Sequence, residues 1–273
     1  IATIQSLVLA SVAFGIGQAM DHNEVAFRWI YPIASIFGLI GAAIYSKIRV
    51  KGHKQLLHEE KRCPELVSIK PWKTFHLLFE DVQFAKYMTC QFILGVGNLM
   101  LTAPLVIVLN DDFALDYLGE ILIVTIIPIL MIPISTPLWA KFLNRVHILT
   151  FRSFHSWFFV ISSLCFAAGI FMRDMNLMWT GAVIRGLGFG GGVLAWNLGH
   201  QDYAPVEQSG QYMGLHVTLT GIRGLFAPAL GVFLYTSLFS NSYLSGAIVF
   251  VIGATFSAIG GIGFIALARA RKS

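Results

Sequence analysis

The chain has 273 residues, 56% of them hydrophobic and 12% charged, with a formal net charge of +5 and a mean hydropathy of +0.72. A soluble domain carries about 25% charged residues, so this composition excludes a water-soluble fold and leaves no room for a separate soluble domain. A pI near 9.2 does not point to nucleic acid, because the basic residues fall in loops beside apolar segments, where they report topology. Cys63, Cys90 and Cys165 show no C-x-x-C spacing and no metal-ligand cluster stands out, so neither a metal, a disulfide framework nor a cofactor is expected.

Hydropathy places eight membrane spans, each near the ~20 residues a bilayer core requires, at 1–20, 26–47, 84–108, 118–140, 153–172, 177–199, 211–239 and 244–268. The first begins at Ile1 with no basic segment before it, which is not a signal peptide. The expectation is the carboxyl-terminal part of a longer protein. Two spans (1–47) precede a long basic linker (48–83) and six (84–273) follow it. In that linker Trp72, Phe75, Leu78, Phe79 and Val82 recur at helical spacing, with Lys73, Glu80 and Asp81 on the other face. This suits an amphipathic helix in the interface or an extension of the next span.

Lys and Arg set the orientation. One side holds 15 of them: nine from Lys47 to Lys86, then Lys141, Arg145, Arg152, Arg269, Arg271 and Lys272. The other holds Arg28 and Arg173 beside Asp21, Glu24, Asp111, Asp112 and Asp116. The linker and carboxyl terminus are therefore expected in the cytoplasm, with the chain in a bacterial-type inner (plasma) membrane.

Three patterns carry chemistry. Gln91, Gly95, Asn98 and Thr102 follow spacings of 4, 3 and 4 and share one helix face. Lipid would make that face costly, so it points inward, either as a cavity wall or as interhelical hydrogen bonding. Next, Arg185 opens the run Arg185-Gly186-Leu187-Gly188-Phe189-Gly190-Gly191-Gly192, with Gly188, Gly192 and Trp196 on its face. Those glycines permit close helix approach, or bending that exposes backbone near a ligand. No strand precedes the run, which excludes a nucleotide loop. Third, His216, Thr220 and Arg223 share a face near Gly221, Gly224, Pro228 and Gly231. His216 titrates in a range suited to proton coupling, or is simply a solvated or hydrogen-bonded residue at a cytoplasmic helix end. A guanidinium at bilayer depth costs roughly 2.5–3.5 kcal/mol on insertion scales, so Arg185 and Arg223 mark a polar cavity or helix-locking sites. Of the two, Arg185, beside glycines, is expected to touch substrate, and Arg223 to bind carbonyls freed by the Pro228 bend. No Asp or Glu occupies the middle of a span, and no catalytic constellation appears.

The order of these features resembles the major facilitator superfamily. Ala140-Lys141-Phe142-Leu143-Asn144-Arg145-Val146-His147-Ile148 is similar to the family's G-x-x-x-D-R-x-G-R loop, keeping only its arginine. Arg185-Gly186-Leu187-Gly188-Phe189-Gly190 resembles the arginine-glycine motif of the fourth helix, here at the tenth. Gly224 to Gly231 resembles G-x-x-x-G-P-x-x-G, with Ala227 for the second glycine. The resemblance implies an all-α membrane fold, the carboxyl-terminal two thirds of a twelve-helix bundle. Residues 1–47 would end the amino-terminal half and 84–273 form the carboxyl-terminal half. It implies a secondary transporter of a small solute, anionic ones being favoured by the arginines, and no enzyme. Gln91, Asn98, Thr102, Arg185 and Trp196 would bind substrate, while Arg145, Gly188, Gly192, Arg223 and Pro228 would serve structure or gating. Spans 153–172 and 244–268, read as apolar nearly all round, would be peripheral and the most lipid-exposed. Partners would be the substrate, the bilayer and the missing amino-terminal helices of the same protein. A non-transporting scaffold or sensor is the alternative, then a membrane-embedded lipid-modifying enzyme, which lacks the His/Asp/Glu cluster it would need.

Overall fold

The computed structural model describes residues 2–48, 71–239 and 244–271, with only the backbone at residues 2, 71–73 and 207. Two helices, α1 (Ala2–His22) and α2 (Phe27–Tyr45), come first. A short α3 (Pro71–Glu80) leads into α4 (Val82–Leu99) and α5 (Thr102–Asp111). Then follow α6 (Tyr117–Leu143), α7 (Ile148–Met172), α8 (Met175–Leu198), α9 (Ser209–Leu238) and α10 (Ser245–Ala270). No strand occurs among the described residues. Among the described residues eight spans are long and apolar enough to cross a bilayer, matching the hydropathy reading in number and order.

Polar residues at the loops start the helices. The Asp81 carboxylate accepts the Phe84 amide at 2.9 Å, Asp116 that of Gly119 at 2.8 Å and Asp174 that of Asn176 at 2.8 Å. Each satisfies an orphan amide of a first turn. The residues expected as one span over 84–108 are broken at Met100–Leu101. Pro104 has no amide hydrogen to offer the Met100 carbonyl four residues back. That carbonyl faces α9, where a Cβ on Gly231 would collide with it. The hydrogen bond that proline removes thus becomes a point of close helix approach.

Small residues set the rest of the packing, as expected where lipid removes the hydrophobic drive between helices. A Cβ on Gly97 (α4) would lie 2.8 Å from Ser257 Oγ (α10), and one on Gly260 (α10) 2.8 Å from the Cys90 carbonyl (α4). A Cβ on Gly261 would lie 2.8 Å from Ser156 Oγ, which joins α10 to α7. On α8 a Cβ on Gly186 would lie 2.7 Å from Pro128 Cα of α6. The glycine run therefore serves close approach. Helix α8 is continuous through it, with no unwinding.

Two buried apolar clusters result, one around Tyr87, Phe151 and Phe264 at the basic end, the other around Leu105, Phe166 and Phe250 at the acidic end. Along α7, Ser162 and Ser163 lie between the two groups. Helix α1 rests on α6 through Ala10 and Ala13, which meet Ile126, and the Asp21 carboxylate accepts the Leu118 amide at 3.2 Å. No residue of α2 is buried.

Two expectations are corrected. Helices α7 and α10 are not the most exposed: they pack extensively on each other, whereas α2 and α9 are far more open. Phe154, Ile161 and Leu164 do give α7 a lipid face, but its other face buries Arg152, His155, Ser156, Ser162 and Ser163. It is not apolar all round. In α3, Leu77 is buried against the bundle while Phe79 is exposed, so its apolar residues do not share one side. Trp72, Lys73 and the linker over 49–70 lie outside the described side chains.

Candidate functional site

Three buried arginines meet one stripe, Arg152 and Arg223 on α4 and Arg185 on the first residue of α5. Arg152 is 2% exposed, and Arg185 and Arg223 are each 8% exposed. Arg152 was expected in the basic loop; it lies instead one turn inside α7. Its Nη2 donates to the side-chain oxygen of Gln91, and its Nη1 meets His155 Nδ1 at 3.3 Å. His155 Nε2 lies 2.7 Å from the Gly188 carbonyl, to which it donates. That bond leaves Nδ1 as the acceptor, so a neutral imidazole links Arg152 to α8.

Arg223 Nη1 donates to the main-chain carbonyl of Gln91 at 3.0 Å. The guanidinium lies directly over Gly95, where any Cβ would occupy the same space. The lock expected of Arg223 thus runs to α4, not to carbonyls freed by its own helix at Pro228. Arg185 Nη2 donates to Thr102 Oγ1 at 3.0 Å, and its guanidinium carbon sits 5.5 Å from the Phe189 ring centroid. Gln91 and Gly95 of the predicted stripe are buried and each meets an arginine, Asn98 is half-buried, and Thr102 accepts from Arg185 although it is itself exposed. Among the described residues no Asp or Glu forms an ion pair with any of the three. Taking a charge out of water without a counter-charge is costly, and neutral oxygens offset only part of that.

Beside this layer lies a cavity of about 370 Å³. Its polar wall is Gln91, Asn98, Arg152, Asn197 and Arg223, and its apolar wall includes Leu94, Phe159, Phe189, Val193 and Trp196. The Nε atoms of Arg152 and Arg223 are buried without a hydrogen-bond partner. Of the residues expected to bind substrate, Gln91, Asn98 and Trp196 line this cavity. Arg185 and Thr102 do not; they bond to each other, and Arg185 borders a separate void of about 10 Å³. Gly192 lines the cavity, whereas Gly188 packs on Phe158 and Phe159. His216 is fully buried, not solvated; its ring lies 5.6 Å from that of Trp196 and both nitrogens lack a partner. Arg145 is exposed at the loop after α6.

The basic end is held by a second polar group. The Asp202 carboxylate accepts the Ile148 amide at 2.8 Å and lies 3.5 Å from His147 Nε2, while His147 Nδ1 accepts the Leu149 amide at 3.2 Å. Tyr212 donates to Asp81 at 2.9 Å, tying α9 to the start of α4.

Residues 1–228 match the family model described as Major Facilitator Superfamily. The chain belongs to that superfamily. No curated protein and no solved structure matches it. It is an integral multi-pass membrane protein of a transporter family, which implies a small-molecule substrate and a lipid bilayer around it.

Proposed function

We propose that this superfamily member is a secondary transporter moving a small anionic solute by alternating access. The observation that carries the reading is the pair Arg152 and Arg223, buried in a cavity wall with no carboxylate beside them and with Nε atoms unpartnered. An anion supplies the missing counter-charge and charge-assisted hydrogen bonds together. Gln91 orients both guanidiniums, and Asn98 and Trp196 shape the remainder. Arg185, bonded to Thr102, holds α8 to the α4–α5 break. Residues 1–47 belong to the amino-terminal half and 84–273 form the carboxyl-terminal half. The basic end, linker and carboxyl terminus face the cytoplasm of an inner-type membrane.

Uptake by proteoliposomes tests the charge reading. Labelled anions, cations and neutral solutes are compared, with Arg223→Gln and Arg152→Gln alongside. Anion uptake that falls at least tenfold in both variants is expected. Selective uptake of cations, or anion uptake untouched by both substitutions, would overturn it.

A further inference from the structure

The apolar part of the cavity lining restricts what the anion can be. Phe159, Phe189 and Trp196 contribute rings, and Leu94, Ile132 and Val193 aliphatic surface. A fully hydrated ion such as phosphate would exchange part of its water for hydrocarbon there, which is unfavourable. The free donors are close together. Arg152 gives one hydrogen of Nη1 to His155 and one of Nη2 to Gln91, and Arg223 gives one of Nη1 to the Gln91 carbonyl, so the remaining guanidinium hydrogens, those of Arg223 Nη2 among them, gather around the same glutamine. Guanidinium hydrogens so placed suit the two oxygens of a single carboxylate. A volume of about 370 Å³ falls at the small end of the ~300–1,000 Å³ typical of small-molecule pockets.

Resting on the anion-transport reading above, we infer that the substrate is a small arylcarboxylate, its carboxylate on Arg152 and Arg223 and its ring among Phe159, Phe189 and Trp196. Gly192 is the open side of this ring slot. A Cβ there would meet only Phe159 Cζ, at 3.8 Å. A methyl is therefore tolerated, while a longer side chain fills the space the ring needs.

Binding of radiolabelled benzoate to the purified chain in detergent tests this, with unlabelled competitors. Saturable benzoate binding is expected, with acetate at least tenfold weaker as a competitor and phosphate and benzamide ineffective. Gly192→Leu should weaken benzoate at least tenfold, Gly192→Ala less than threefold, and Arg223→Gln at least tenfold. Val193→Phe enlarges a second side chain of the same cavity lining and replaces Gly192→Leu should that variant fail to fold, judged by its melting temperature. No saturable benzoate binding, or acetate or phosphate competing as well as benzoate, overturns the aryl inference. Binding of acetate or phosphate in either case leaves the anion reading standing. Benzamide competing equally overturns both. Unchanged benzoate affinity in the slot-filling variant removes the site from this cavity.

Discussion

Arg223 and Gly95 divide one volume between them, since the guanidinium lies where a side chain at residue 95 would begin. Gly95→Ala should push Arg223 off the Gln91 carbonyl and destabilise the protein by about 1–3 kcal/mol, the usual range for overpacking. Gly221 and Gly224 flank Arg223 in sequence but face open space, so Gly224→Ala should leave the melting temperature in detergent unchanged. A fall for Gly224→Ala equal to that for Gly95→Ala would place the constraint in the bend of α9. The sequence made the inward face of α4 legible, since spacings of 4 and 3 leave no other arrangement. It did not reveal which arginine meets which member. Arg185 stands beside glycines, but those glycines are filled by α6 and α7, a tertiary fact that chain spacing does not carry. Arg152 carries a sequence signal of its own, since Arg152, His155, Ser156 and Ser163 recur at i, i+3, i+4 and i+11 on one face of α7.

At the scale of the helix, hydropathy located the spans because each must cover the hydrocarbon core with satisfied backbone. It could not locate the break at Met100–Leu101 or the wide π-turns over Leu122–Ile126 and Leu234–Leu238, which are equally apolar. Pro104 was the one local sign of the break. The contact it creates yields a prediction. Gly231→Ala places a methyl against the Met100 carbonyl and should prise α9 from α4, costing about 1–3 kcal/mol, whereas Gly214→Ala meets nothing. Limited proteolysis of the loop before α9 should accelerate for Gly231→Ala alone. Equal rates for the two variants would show that the approach at Met100 contributes nothing to holding α9.

Across the whole molecule, charge separates the two ends. In a cysteine-free background, Asp112→Cys and Arg145→Cys should label from opposite sides of the membrane with an impermeant reagent. Labelling of both from one side would refute the orientation. The basic end also titrates. Burial holds the His147 imidazole below its ordinary value of 6.5 despite the opposing Asp202 carboxylate, with Arg271 adding to the depression; burial lowers His200 as well. Both imidazoles take up protons more readily in the unfolded chain. Their contribution to stability is thus complete above about pH 6.5 and is lost as the pH falls from there toward their folded values. The melting temperature should drop over that window, and less so in His147→Asn/His200→Gln, where asparagine can still cap α7. An identical drop in the double variant would assign the effect elsewhere. Finally, Arg152 is tied to α4 directly and to α8 through His155, so three helices turn as one rigid piece around it. Arg223 reaches α4 through one carbonyl, a charged hydrogen bond of about 1.5–3 kcal/mol. Any occupant that takes Arg223 Nη1 undoes one tie between α9 and α4, leaving Tyr212 on Asp81 and the approach of Gly231 to Met100 in place. By reciprocity, whatever loosens that tie tightens the grip on the occupant by an equal free energy.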